Sequence, residues 1–217
     1  MSNLYKRILT SIIIFPFSIF FIYKGGNFLV LFLIAVFLIA NYELFTSFKK
    51  KFYIIILNFI LIFSLYSIYY LSKDSAASFV LLIWVIILTV CSDIGGYIFG
   101  KLFKWKKITK ISPNKTFSGV LGSFIFSLVS LFILNFFVNE MSDVNDRNFL
   151  QPYYFFLALV FSLTAQVGDL TISYFKRLEK IKDAGKLLPG HGGIFDRIDG
   201  LMFVVIIAFI LYKFNTF

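Results

Sequence analysis

The sequence predicts an all-α, polytopic helical membrane protein. Hydrophobic residues make up 59% of the 217, charged residues only 15%, and the mean hydropathy is +0.89. A soluble domain carries about a quarter charged residues, so a water-soluble fold is excluded. Seven apolar stretches follow one another, over roughly 8–23, 27–45, 52–72, 77–99, 117–138, 152–175 and 201–217. Most match the roughly 20 residues that cross a bilayer as a helix. These runs show no strict apolar–polar alternation and exceed the roughly ten residues of a barrel strand, so a membrane β-barrel is excluded. Disorder needs few aromatics, and this chain holds 31 Phe, 12 Tyr and 2 Trp.

The elements follow in order. Lys6 and Arg7 precede the first stretch, but Lys24-Gly25-Gly26 is a poor small-residue cleavage site. The stretch therefore reads as a retained helix that turns into the second at the glycines, not as a signal peptide. Lys49–Lys51 separate the second stretch from the third, and Lys73-Asp74 the third from the fourth. After the fourth comes a basic segment, 100–118; after the fifth, an acidic, Asn-rich connector, 139–151; after the sixth, a long polar segment, 176–200. The chain reads as one integral-membrane domain, 1–217, with N-terminal helices over 1–75 and the long polar loops in 76–217.

Charge orients the helices. With the N-terminus inside and seven alternating spans, 17 of the 21 basic residues fall on the cytoplasmic side, leaving only Lys24, Lys73, Arg147 and Lys213 outside. The outer side is then neutral and the inner side carries the whole net charge of +10, as the positive-inside rule requires. The high pI is thus explained by topology and anionic headgroups, and no nucleic-acid partner is predicted. For Lys104–Lys110, orientation and substrate binding are both open. Cys91 is the only cysteine and His191 the only histidine, which excludes an internal disulfide and a Cys/His zinc cluster.

Polar residues inside these helices mark candidate functional positions. Gln166, Asp169, Ser173, Lys176 or Arg177, and Lys180 recur at spacings of three or four, along one face of the sixth helix. In the fourth, Asp93, Tyr97 and Lys101 lie four apart, with Gly95, Gly96 and Gly100 allowing a close neighbour. A carboxylate in a membrane segment is costly unless paired or hydrated; an interhelical ion pair and a functional role both satisfy that condition. The loop from Lys182 to Gly200 places Gly190, Gly192 and Gly193 around His191, where free backbone amides would approach a phosphate. Asp196 and Asp199, three apart, suit one face of a starting helix and oxygen ligation of a hard cation. Lys176, Arg177, Lys182 and Arg197 suit a polyphosphate. Ser112-Pro113-Asn114-Lys115-Thr116 adds hydroxyls and a lysine at another helix entrance, and reads equally as a turn and cap. Together the groups suit metal-assisted phosphoryl or nucleotidyl transfer.

Ser173-Tyr174-Phe175-Lys176-Arg177, Lys182-Asp183 and Pro189-Gly190-His191-Gly192-Gly193-Ile194-Phe195-Asp196-Arg197-Ile198-Asp199 resemble the signature of the phosphatidate cytidylyltransferases, with every spacing intact over 27 residues. Gly168-Asp169, the 112–116 segment with Gly119 and Gly122, and Asp93, Tyr97, Gly100 and Lys101 resemble the same family. Ser118 departs from the pattern, where Glu is expected. The resemblance implies transfer of the cytidylyl group of CTP to phosphatidate, dependent on Mg²⁺ and possibly on a monovalent cation such as K⁺. Region 76–217 would be catalytic and the protein a homodimer in the cytoplasmic (inner) membrane, its site facing the cytoplasm. It implies Asp169 and Asp196 as metal ligands, with Asp199 assisting or orienting Arg197. Lys176, Arg177, Lys182, His191 and Arg197 would bind phosphates; Ser112, Lys115, Thr116, Asp93, Tyr97, Gly192 and Gly193 would form the nucleotide side. A CTP-dependent kinase or cytidylyltransferase acting on another membrane lipid is the alternative.

Overall fold

The computed structural model describes residues 16–109, 112, 115–139, 149–185, 187 and 192–214. Among them no strand forms; helices follow one another as α1 over 16–24, α2 (Gly26–Ser47), α3 (Lys51–Lys73), α4 (Ala76–Phe103), α5 (Phe117–Asn139), α6 (Pro152–Leu178) and α7 (Phe195–Lys213). Five of them, α2 to α6, are long and apolar enough to cross a membrane. Of the seven predicted spans, the first is described only from residue 16. The seventh begins six residues earlier than its apolar run, taking Asp196, Arg197 and Asp199 into its first turns. Acidic residues at a helix start are favoured by the unpaired amides there, in keeping with the starting helix that the spacing of Asp196 and Asp199 suits.

The packing follows from where small residues fall. α4 and α5 lie almost backbone to backbone: a Cβ on Gly96 would sit 2.7 Å from Ser123 Oγ, and one on Gly95 would overlap Gly122 O of the facing helix. Ser123 Oγ donates to Ser92 O at 2.8 Å across this contact. α6 meets α7 at Gly168, where Phe203 fills the space a side chain would take. α4 runs four residues past its predicted end and stops at Lys104 with φ +49, a left-handed terminus. Lys180 ends α6 in the same way, at φ +58.

The two ends of the bundle differ. At one end Ser75 Oγ and Tyr212 Oη lie 2.8 Å apart, and Tyr212 donates to Asp74 at 2.7 Å, tying the α3–α4 turn to the end of α7. At the other end lie the described residues of the links that follow α2, α4 and α6. Ser47 Oγ donates to Ala184 O at 2.7 Å, and Lys50 N donates to Glu179 Oε1 at 3.0 Å. A core of Ala40, Leu44, Leu57, Leu61, Ile172 and Met202 buries Ala184 and Phe195 completely, so α2 and α3 form the floor on which the glycine-rich segment rests. These contacts cross the division at residue 75.

Candidate active site

The polar residues picked out on α4, α6 and α7 converge at this second end. Lys115, at the entrance to α5, places its Nζ 2.5 Å from Asp169 Oδ2 on α6 and donates to Gln166 O at 3.2 Å. Ser173, one turn on, reaches Asp169 Oδ1 at 3.4 Å. Asp93 lies in the electrostatic field of Asp169, Lys115 and Arg197, and Asp199 in that of Asp169, Lys176 and Asp93. Three helices thus turn carboxylates toward one region, with cations interleaved. Tyr97 and Lys101 continue from Asp93 along the exposed face of α4, the ammonium 5.7 Å from the ring centroid.

Asp196 has a different setting from Asp169. Its Oδ1 accepts from Lys176 Nζ at 2.9 Å and its Oδ2 from Ala184 N at 2.8 Å and Gly193 N at 3.0 Å. Both partners of the pair are buried, with side-chain exposures of 9% for Lys176 and 4% for Asp196. Asp199 Oδ2 is 3.9 Å from the same ammonium, so Asp196 and Asp199 share a helix face as their spacing predicted. Asp196 is therefore the knot that ties Ala184, Gly193 and, through Lys176, α6 to the start of α7. Lys176, read from the sequence as a phosphate binder, is committed to this pair. The Gly193 amide, expected to be open to a phosphate, is donated to Asp196 instead; Gly192 does adopt the positive φ, +88, that favours glycine.

The other predicted residues divide clearly. Arg177 and Arg197 are exposed, Arg177 donating to Ile181 O at 3.0 Å. Lys182 is exposed and lines a cavity of about 690 Å³ together with Tyr42, Thr46, Ser47 and Asp183. Ser112 O accepts from Lys115 N at 3.1 Å, and Lys107 and Thr116 form an isolated antiparallel bridge. Thr116 is a helix cap, its Oγ1 accepting from Gly119 N at 3.1 Å. Ser118, where Glu was expected, is buried with its Oγ 3.0 Å from Thr116 Oγ1. His191 lies outside the described residues.

Sequence reasoning missed Glu43. This α2 residue is only 1% exposed, and its Oε1 and Oε2 accept from Ile194 N and Phe195 N, both at 3.0 Å. Its signal was available: it is the only charged residue in the 22-residue apolar helix Gly26–Ser47.

Among the described residues no three carboxylate, imidazole or thiol side chains form a cage for a metal ion. Mg²⁺ does not require one, because it is held by one or two carboxylates together with water and substrate phosphates. Asp169, with Asp199 and Asp93 within electrostatic reach, would supply one or two such oxygens.

The family model described as "Cytidylyltransferase family" matches residues 48–215. The chain belongs to this family. It is 40% identical over 141 residues to the phosphatidate cytidylyltransferase of Helicobacter pylori (strain ATCC 700392 / 26695), which covers 65% of this chain and 48% of that protein. With the phosphatidate cytidylyltransferase of Staphylococcus haemolyticus (strain JCSC1435) it shares 38% identity over 138 residues, 63% of this chain and 50% of that protein. A relative of the same name in Rickettsia bellii (strain RML369-C) is 33% identical over 222 residues, 97% of this chain and 91% of that protein. The chain spans about half the length of the first two relatives. Glu43 precedes the residues that the family model matches.

Proposed function

We propose that this protein transfers the cytidylyl group of CTP to phosphatidate, giving CDP-diacylglycerol and pyrophosphate. The observation that carries the reading is the convergence of Asp93, Asp169 and Asp199 with Lys115 and Arg197 at the loop-bearing end of an apolar bundle. Its relatives, named phosphatidate cytidylyltransferases, support it. A phosphate oxygen of phosphatidate attacks the α-phosphorus of CTP, the bond from that phosphorus to the bridging oxygen breaks, and pyrophosphate leaves. The nucleophile is already anionic, so positioning and charge neutralisation carry the rate and little base catalysis is needed.

Asp169 would hold Mg²⁺ with a carboxylate on the first turns of α7. Asp196, the predicted second ligand, would have to exchange Lys176 for the ion, whereas Asp199 is less heavily hydrogen-bonded. When bound, Mg²⁺ supplies positive charge to the phosphates of the nucleotide; a monovalent cation such as K⁺ beside it is part of the same proposal. Arg177, Lys182, His191 and Arg197 would bind phosphates, and Ser112, Lys115 and Thr116 would complete the nucleotide side. Seven spans, a cytoplasmic-membrane location with the site facing the cytoplasm, and a homodimeric state belong to this reading, supported by the basic asymmetry and the family resemblance. The diacyl tails would stay in lipid while the headgroup meets soluble CTP. Incubating the purified protein with labelled CTP, Mg²⁺ and either phosphatidate or polyprenol tests it. Labelled CDP-diacylglycerol from phosphatidate is the expected product; phosphorylated polyprenol alone would overturn the assignment in favour of a lipid kinase.

A further inference from the structure

We infer that Glu43 is a positioning residue for the reaction, holding the glycine-rich segment and the start of α7 from a helix outside the signature region. The inference rests on the proposed transferase reading for its kinetic consequences, but its geometric basis is independent of it.

The first amides of a helix have no partner within it. At α7 those of Ile194 and Phe195 are both donated to Glu43, 151 and 152 residues away in the chain. Carboxylate acceptors at a helix start make charge-assisted bonds and oppose the positive end of the helix dipole. The fit is tight on two sides. A Cβ on Gly193 would lie 2.8 Å from Glu43 Oε1, and one on Gly185 would lie 2.7 Å from Glu43 Cγ. The glycines at 185 and 193 are thus required by the carboxylate that sits between them. Ser47, one turn beyond Glu43, fixes Ala184 O at 2.7 Å. Asp196 takes two further amides, those of Ala184 and Gly193. Two carboxylates, one from α2 and one from α7, therefore hold Ala184 and the run from Gly193 to Phe195. Asp196 and Asp199 ride on the helix whose first turn Glu43 holds, and Arg197 stands between them. Displacing that turn moves all three relative to Asp169.

The test compares Glu43→Gln and Glu43→Ala with the unaltered protein in detergent. Turnover of phosphatidate and CTP is measured alongside hydrogen exchange over residues 184–197. Glu43→Gln keeps one oxygen acceptor and the size; its kcat should fall about tenfold, with a smaller change in KM for CTP, and Glu43→Ala should fall further. In both, exchange should quicken over 184–197 while α4 and α5 keep their protection. Gly193→Ala should be harmful in the unaltered protein but add little to Glu43→Ala, because the group it collides with is gone. Wild-type kcat and wild-type protection in a folded Glu43→Ala protein would overturn the proposal. So would a loss of thermal stability with kcat per folded molecule unchanged. Should the unaltered protein make no CDP-diacylglycerol, the transferase reading fails instead, and exchange over 184–197 still decides whether Glu43 holds the loop.

Discussion

Substituting Asn at Asp196 and at Asp169 separates two roles that one sequence motif presents as equivalent. Asp196 is 4% exposed and accepts hydrogen bonds from an ammonium and two backbone amides. An Asn side chain there has one acceptor oxygen and one donor nitrogen, so its NH₂ must face either Lys176 or a loop amide, donor against donor. Lys176, 9% exposed, is left without its counter-charge. Breaking a buried pair by removing one partner costs about 3–5 kcal/mol. In a chain of this size each kcal/mol lowers Tm by about 2–4 °C, so Asp196→Asn should lower Tm by roughly 6–20 °C. Asp169 pairs with Lys115 and accepts one long hydrogen bond from Ser173, and its side chain is 36% exposed. Such a pair contributes at most about 1 kcal/mol, so Asp169→Asn should shift Tm by no more than about 4 °C. Its activity should nevertheless fall by orders of magnitude across a Mg²⁺ titration, because a metal ligand stabilises the transition state by several kcal/mol. Thermal unfolding in detergent and specific activity are measured on the same preparations. An Asp196→Asn protein as stable as the parent would refute the buried knot; near-parental turnover in Asp169→Asn would refute its role as a metal ligand.

Further outcomes follow from the packing and the charge asymmetry. Gly95→Val puts a branched side chain against Gly122 O and the ring of Phe126; overpacking of this kind costs about 1–3 kcal/mol. Thermal unfolding should show a loss of that size, with turnover reduced because Asp93 and Thr116 sit on the two helices pushed apart. Single cysteines at the exposed positions Lys49 and Lys73, in a Cys91→Ser background, should label from opposite sides of sealed vesicles; labelling from the same side would overturn the topology.

Much of this arrangement is legible in the sequence because a bilayer imposes length and apolarity on each span. The close α4–α5 contact follows from Gly95, Gly96 and Gly100, and the shared face of Asp196 and Asp199 from their spacing. Helix ends are less legible. α4 continues past Lys101 to Phe103, and α7 takes in the six residues from Phe195 to Gly200 that precede its apolar run. The burial of Lys176 and the role of Glu43 are not encoded in local spacing at all. They arise from contacts 20 and more than 150 residues apart, and a single carboxylate in an apolar helix is the only trace the second leaves.

The most direct test of the central claim follows the phosphates of CTP. Protein, Mg²⁺ and phosphatidate are incubated with CTP labelled on either the α- or the γ-phosphate, and the lipid and aqueous phases are separated. Cytidylyl transfer predicts that α-label enters the lipid as CDP-diacylglycerol while γ-label leaves as pyrophosphate. Recovery of γ-label in the lipid, with α-label remaining in water as CDP, would contradict it.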